Sequence, residues 1–313
     1  MRKILFLFAI LQSLLGNSQD GKILDQTRIL TSPDSLLKPS SPFYASLKEI
    51  LDSTDVYRIT YLSDGLKVKG FMDIPKKPGK YPCIIYNRGG NRENSKLDKD
   101  KYMGLLAELS SYGYCIVASQ YRGNDGGEGS EEFGGKDIDD VLNLIPLLSN
   151  IDNADTSRIG MFGGSRGGMM TYLALTKTNR IKAAVVLSGI ADFKQSIENT
   201  NFNADSMFYN WLPEYRENKD SFIKKRSPIE FADKICKTTP IFIIQGTGDG
   251  RVTTPQVFDL ARKFYELKQP FRLTIFEGAS HTGGPYVEKM HQIKNFFDFY
   301  VRDKNKLPNL ETR

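Results

Sequence analysis

The pattern of apolar and polar residues changes after Pro75, which separates two kinds of predicted structure. Before it, apolar and polar residues alternate over residues 56–62 and again over residues 66–74, with an Asp-Gly pair between the runs. Such alternation indicates half-buried strands, and Asp-Gly is typical of a tight hairpin turn. We therefore expect an antiparallel hairpin, preceded by a polar lead-in at residues 19–55 with one short helix at residues 46–51.

Beyond Pro75, short continuous apolar runs alternate with longer amphipathic segments. The runs cover residues 83–86, 114–119, 158–162, 183–188, 241–245 and 272–276. Continuous apolar strands are typical of sheets that are buried on both faces, and strand–helix alternation favours parallel pairing. The sequence thus predicts an α/β fold with a mostly parallel sheet and an N-terminal antiparallel hairpin. Residues 192–237 interrupt the alternation with a long, polar and aromatic stretch, which we interpret as a lid or a structural insertion.

Composition narrows the function classes. The chain has 313 residues and a net charge of +6, with charges of both signs mixed along it, so no basic stripe indicates a nucleic-acid partner. The three cysteines do not suggest a disulfide framework. Because the chain has only two histidines, we expect no metal site, and we expect no cofactor. Nothing in the sequence indicates an oligomeric state.

The N-terminus predicts export. Residues 1–18 begin with two basic residues, continue with an apolar run and end in small and polar residues, which is the pattern of a secretory signal peptide. An uncleaved anchor helix is the alternative, but the run is short for a membrane span. We expect a periplasmic or secreted protein that keeps no stable membrane anchor after the segment is removed.

The strongest chemical signal is the segment MFGGSRGG at residues 161–168. It follows a predicted strand and precedes a predicted helix, the context of a nucleophile elbow, in which glycines allow a sharp turn to expose the hydroxyl of Ser165. A plain glycine-rich turn is an equally good interpretation of this segment by itself. The two interpretations differ in whether the chain also supplies a base and a carboxylate.

Two later loops supply these partners. His281 lies in a loop directly after the last predicted strand, whereas His291 lies on an amphipathic helix and is interpreted as a surface or core-edge residue. Asp249 lies in a glycine-rich loop after the preceding strand. The order Ser165, Asp249, His281 is that of α/β-hydrolases, and each residue follows a strand of the same predicted sheet. We predict that they form a catalytic triad.

The oxyanion donors are expected beside the nucleophile. The amide of Arg166 begins the helix after Ser165, and the loop after the first strand beyond Pro75 contains Gly89, whose backbone amide is the second predicted donor.

Several segments together resemble the catalytic domain of the prolyl oligopeptidase family of serine peptidases. They are ITYLSDGLKVKGFMDIP, YNRGGN, QYRGNDGGEG, RIGMFGGSRGG, SPIEFADKI and IQGTGDGRV, and the resemblance extends over residues 56–305. It implies an α/β-hydrolase catalytic domain with Ser165 as nucleophile, Asp249 as orienting acid and His281 as base, and an oxyanion hole from the Arg166 amide and the Arg88-Gly89 loop.

The chain also departs from the family pattern. Residues 19–55 are too short for the β-propeller of full-length members. In addition, this chain has arginine at positions 88 and 166, where family members often have other residues. We hypothesise that Arg88 or Arg166 pairs with an acidic substrate. The resemblance favours a peptidase acting on short peptides; an esterase acting on small esters and a catalytically silent binding module are the alternatives.

Overall fold

The computed structural model of this protein describes residues 19–30, 32–41, 43–198 and 203–308, with only the backbone described for residues 99–104. The predicted signal peptide lies outside the described residues. The strands are β1 (Ile23–Ile29), β2 (Thr54–Ser63), β3 (Leu66–Pro75), β4 (Tyr81–Asn87), β5 (Cys115–Ser119), β6 (Ala154–Gly164), β7 (Ile181–Leu187), β8 (Ile241–Gly246) and β9 (Phe271–Phe276). The α-helices are α1 (Tyr44–Ser53), α2 (Lys99–Ser111), α3 (Asp137–Leu142), α4 (Leu144–Leu148), α5 (Arg166–Leu175), α6 (Phe193–Glu198), α7 (Ala204–Phe208), α8 (Pro213–Glu217), α9 (Lys219–Lys225), α10 (Thr254–Glu266) and α11 (Tyr286–Phe297).

The predicted strands are present. Each of the six apolar runs beyond Pro75 forms a strand, from β4 to β9. The predicted hairpin is formed by β2 and β3, with Ser63 opposite Leu66. Its two turn residues, Asp64 and Gly65, have φ angles of 52° and 77°. Positive φ at both positions matches the twist of the flanking strands, which explains why an Asp-Gly pair closes this turn.

Tertiary contacts divide the chain into two compact units, and the first contains the antiparallel strands. It comprises the described residues up to Cys83 together with residues 96–131 and 135–156. Within it β1 pairs with β2, β2 with β3, and β3 with β5, all antiparallel.

Strand β1 lies in the segment that was predicted to be a lead-in. Its sequence, ILDQTRI, has apolar residues at the two ends and mostly polar residues between them, and every residue is exposed or half-buried. An exposed edge strand needs no apolar alternation, so the hydrophobic pattern contained no signal for it. The predicted short helix is present in the same region, as α1.

The second unit contains the parallel strands. It comprises residues 84–95, 132–134 and 157 onward. Strand β6 pairs with β7, β7 with β8, and β8 with β9, all parallel. Side chains of β7 and β8 are almost entirely buried, as the continuous apolar runs predicted. The carboxyl ends of these strands therefore lie at one edge of the sheet, where the loops that follow β6, β8 and β9 meet.

Residues 192–198 and 203–237, the described part of this stretch, form the short helices α6 to α9 and two turns of 3-10 helix in the same unit. Their aromatic rings pack together: the ring centroids of Phe193 and Phe208 lie 5.9 Å apart, and those of Tyr215 and Phe222 lie 5.1 Å apart. Phe208 and Phe222 are completely buried. The rings thus pack the short helices against one another, and the interpretation of the segment as a lid or a structural insertion stays a prediction.

The described residues form no β-propeller. Within this part of the chain, no helix combines the length and the apolar character needed to cross a lipid bilayer.

A buried carboxyl group in β3 makes the first unit sensitive to pH. Asp73 is completely buried. Burial raises the pKa of Asp73 to about 8, because the charged form loses its hydration, although the nearby Ser110 and Thr54 hydroxyls act in the opposite direction. Asp73 is therefore protonated in the folded protein at pH values where it is ionised in the unfolded chain.

We expect Asp73→Asn to stabilise the protein increasingly as the pH rises. The folded pKa lies above the unfolded value of 3.8, so this group makes the wild-type protein lose stability as the pH rises from the unfolded pKa to the folded pKa of about 8. Asparagine removes this loss, so the difference in melting temperature should grow from pH 5 to pH 8 and then level off. The exposed Asp152→Asn is the control for net charge. A difference that is constant over this range would contradict the assignment.

Candidate active site

The predicted nucleophile lies in a sharp turn between β6 and α5. Strand β6 ends at Gly164 and helix α5 begins at Arg166, so Ser165 alone makes the turn. Its backbone has φ 56° and ψ −123°, a region that costs a residue with a side chain roughly 1–3 kcal/mol. The amide of Ser165 donates to the carbonyl of Leu187, at 2.9 Å, which ties the turn to the end of β7. This geometry is that of a nucleophile elbow.

The flanking glycines are required by close packing. A Cβ atom on Gly163 would lie 2.1 Å from the carbonyl oxygen of Gly167, and one on Gly167 would lie 1.9 Å from that of Asn87. Both distances are far shorter than a van der Waals contact. Gly163 thus lets strand β6 approach helix α5, and Gly167 lets the same helix approach the end of β4, because neither position carries a side chain.

The three predicted triad residues meet at one point. Nε2 of His281 lies 2.9 Å from Oγ of Ser165, and Nδ1 of the same ring lies 2.8 Å from Oδ2 of Asp249. The two ring nitrogens thus link the hydroxyl to the carboxylate. His291, by contrast, is exposed on α11, where its helical pattern placed it.

The environment of Asp249 favours its charged form. Burial acts to raise its pKa, but the hydrogen bond from His281 and those from the amides of Val252 and Arg251 outweigh burial, so the pKa lies below its usual value. The side chain of Asp249 is fully buried, whereas 20% of the His281 side chain is exposed. A carboxylate that stays ionised can fix the tautomer of the ring and stabilise its protonated form.

Gln245 also holds Asp249 and was not predicted to contribute to the site. Its side-chain amide donates to the carbonyl of Val252 at 2.8 Å and to Oδ2 of Asp249 at 3.3 Å. The one sequence signal was that Gln245 is a polar residue at the end of an otherwise apolar strand. A buried polar side chain at that place must find partners inside the protein, and here it finds them in the loop of Asp249.

The predicted oxyanion loop lies directly beside the nucleophile. A Cβ atom on Gly89 would lie 3.4 Å from Cβ of Ser165, so the backbone of this loop approaches the hydroxyl closely. Arg166 is the first residue of α5, and amides in the first turn of a helix have no carbonyl one turn earlier to bond. The two backbone segments predicted to bind an oxyanion therefore both lie next to Ser165.

The guanidinium groups of Arg88 and Arg166 are directed at backbone carbonyls of this loop. Arg88 donates to the carbonyl of Gly89 at 3.1 Å and to that of Arg92 at 2.9 Å. Arg166 donates to the carbonyl of Gly90 at 3.0 Å, and its guanidinium carbon lies 4.6 Å from the centroid of the Phe133 ring. The two arginines are only 1% and 2% exposed. Both side chains thus bind the loop that carries Gly89.

Comparison with known proteins identifies the family and the fold. Residues 102–306 match the model of the prolyl oligopeptidase family. The chain is 30% identical over 227 residues to the uncharacterized peptidase YtmA of Bacillus subtilis, covering 72% of this chain and 86% of the relative.

Two solved structures are similar in fold. The acylaminoacyl peptidase of Pyrococcus horikoshii superposes with a TM-score of 0.70 at 23% identity, over 87% of this chain and 45% of that one. The acetyl xylan esterase from Paenibacillus sp. R4 superposes with a TM-score of 0.66 at 17% identity, over 94% of each chain. The predicted α/β-hydrolase fold, with its mostly parallel sheet and N-terminal antiparallel strands, is confirmed. This chain is a serine hydrolase that belongs to the prolyl oligopeptidase family.

Proposed function

We propose that this protein is an exported serine peptidase that cleaves short peptides through an acyl-enzyme on Ser165. The observation that carries the proposal is the pair of hydrogen bonds, 2.8 and 2.9 Å long, that link Asp249 through His281 to Ser165. Family membership supports peptide substrates. Export rests on the sequence of residues 1–18 alone.

The geometry suits acyl transfer to water. As Ser165 attacks a carbonyl, Nε2 of His281 takes the proton of its hydroxyl, and the Asp249 carboxylate accepts the hydrogen bond from Nδ1 and stabilises the imidazolium. His281 then returns the proton to the leaving amine. A water molecule, activated by the same ring, hydrolyses the acyl-enzyme and restores Ser165.

The negative charge that develops on the carbonyl oxygen needs donors that are already in place. We assign this role to the amides of Arg166 and Gly89, and each such donor is typically worth about 3 kcal/mol of barrier. In this scheme, Arg88 and Arg166 hold the loop of Gly89 in position through its carbonyls.

The first prediction concerns the nucleophile. We expect Ser165→Ala to abolish labelling by a fluorophosphonate probe and to lower turnover by several orders of magnitude, because triad members act as a unit. The exposed serine beside His281 supplies the matched control, and Ser280→Ala should label as the wild-type protein does. Persistent labelling of Ser165→Ala would refute the assignment. An unlabelled wild-type protein that is folded would instead favour the silent binding module.

The second prediction separates peptide from ester substrates. Similarity in fold to an acetyl xylan esterase keeps small esters as the alternative, since both activities need the same triad. An aminoacyl anilide and a short-chain nitrophenyl ester should be assayed side by side with the wild-type protein and with Ser165→Ala. We expect Ser165-dependent turnover of the anilide. Turnover of the ester alone would establish the esterase.

The third prediction concerns the cations beside the site. The sequence suggested that Arg88 or Arg166 pairs with an acidic substrate, but their burial and their bonds to carbonyls support a role in holding the oxyanion loop. We therefore expect Arg88→Ala to lower kcat/KM about tenfold to a hundredfold, equally for neutral and acidic acyl substrates. The exposed Arg216→Ala should have little effect. A loss confined to acidic substrates would restore the sequence-based hypothesis.

A further inference from the structure

A buried lysine contacts the loop that carries His281. Lys289 is the fourth residue of α11 and is 6% exposed. Its ammonium group donates a hydrogen bond to the carbonyl of Thr282, the residue that follows His281, and lies 5.8 Å from the centroid of the Tyr286 ring. Among the described residues, no carboxylate lies within ion-pair distance of it. The contacts of this cation are thus a backbone carbonyl and the face of an aromatic ring.

This position is unfavourable for stability. Burial lowers the pKa of Lys289, because the charged ammonium loses its hydration without gaining a counter-ion. The first turn of a helix is also the positive end of the helix dipole, where a cation is disfavoured. Two electrostatic costs therefore oppose a lysine here, so fold stability alone does not account for it.

The loop has separate supports on its two sides. Before His281, the amide of Gly248 donates to the carbonyl of Ala279 at 2.9 Å, and the amide of Gly278 donates to Oγ1 of Thr247 at 2.7 Å. Both bonds fix the loop to the loop after β8, which also carries Asp249. After His281, the bond from Lys289 to Thr282 connects the loop to helix α11.

The turn that follows Thr282 is tightly packed. Gly283 and Gly284 have φ angles of 71° and 100°, and a Cβ atom on them would lie 2.3 Å from a Leu187 methyl carbon and 2.5 Å from the Phe276 ring. The Thr282 carbonyl lies between this tightly packed turn and His281. A bond that fixes the orientation of this carbonyl therefore restricts the backbone of the loop next to His281.

We propose that Lys289 is a positioning residue: its ammonium group holds the Thr282 carbonyl and thereby keeps the His281 ring between Asp249 and Ser165. The inference rests on the proposed function, in which His281 is the general base. Lys289 acts through the loop and touches neither the substrate nor the reacting atoms.

Lys289→Met tests this role, because methionine fills a similar volume without a donor. We expect kcat per titrated active site to fall about tenfold to a hundredfold, since small misplacements of catalytic groups have effects of this size, while KM changes little. Lys289→Arg keeps a cationic donor and should recover most of the lost kcat. Lys294→Met removes a lysine from the same helix, one that is paired with Asp298, and should leave kcat unchanged.

A spectroscopic readout makes the test independent of turnover. The chain has only two histidines. In the His291→Gln variant, the signals that remain in an NMR spectrum of histidine-labelled protein therefore belong to His281, which assigns its Nδ1 proton. In the wild-type protein this proton, hydrogen-bonded to Asp249, should resonate far downfield. In Lys289→Met it should shift upfield or broaden, and in Lys289→Arg it should return.

The outcomes separate positioning from stability and from the proposed function. If Lys289→Met lowers only the number of titratable sites, and leaves kcat per site and the His281 resonance unchanged, the lysine is merely structural and the proposal is wrong. If Lys289→Met does not fold, Lys289→Leu, which also lacks a donor, is judged by the same two readouts. If the wild-type protein is not labelled at Ser165, the proposed function fails, while the His281 resonance still tests what Lys289 does to the ring.

Discussion

The backbone turn at Ser165 is the constraint on which the site depends. One residue in an unfavourable conformation, φ 56°, reverses the chain between the end of β6 and the start of α5. The turn needs Gly163, where a side chain would clash with helix α5, and Gly167, where a side chain would clash with Asn87 at the end of β4. It points a hydroxyl away from the sheet and makes the next residue the first of a helix. The strain of the turn is offset by its surroundings: buried strand β6 precedes it, helix α5 follows it, and the Ser165 amide is bonded to the carbonyl of Leu187 at the end of β7.

Asp249 and His281 lie near Ser165 because the parallel strands that precede them end at the same edge of the sheet. Because β6, β8 and β9 run in the same direction, the loops after them meet at one edge, and Ser165, Asp249 and His281 each lie in one of these loops. The loop of Asp249 is held internally by its own amides and by Gln245, which keeps a charged carboxylate buried where water is largely excluded. In such surroundings the carboxylate can stabilise a protonated His281 more strongly than it could in water.

The sequence was sufficient to predict the strands beyond Pro75, the hairpin and the three residues that meet at the site. These features depend on local signals: continuous apolar runs, an Asp-Gly turn, and polar residues placed directly after strands. Strand β1 could not be predicted, because an exposed edge strand carries no hydrophobic pattern. The burial of the Arg88, Arg166 and Lys289 side chains, and the carbonyls that they bind, could not be predicted either. Each is a charged residue of a type that is normally exposed, and only tertiary packing buries it.

Arg88, Arg166 and Lys289 are all buried cations that bind loops of the site. Each is at least 94% buried, and each donates to a backbone carbonyl in a loop beside Ser165 or His281. For Lys289, which has no carboxylate within ion-pair distance among the described residues, the carbonyl bears only a partial charge and compensates the lost hydration less well than a carboxylate would. Bonds to charged donors are nevertheless stronger than bonds between neutral groups, and a loop held by them loses freedom before a substrate arrives. Catalysis requires donors and a base that are already oriented. Burying a cation beside such a loop lowers the stability of the free protein, but the bond that the cation makes orients the loop and can thereby lower the barrier of the reaction.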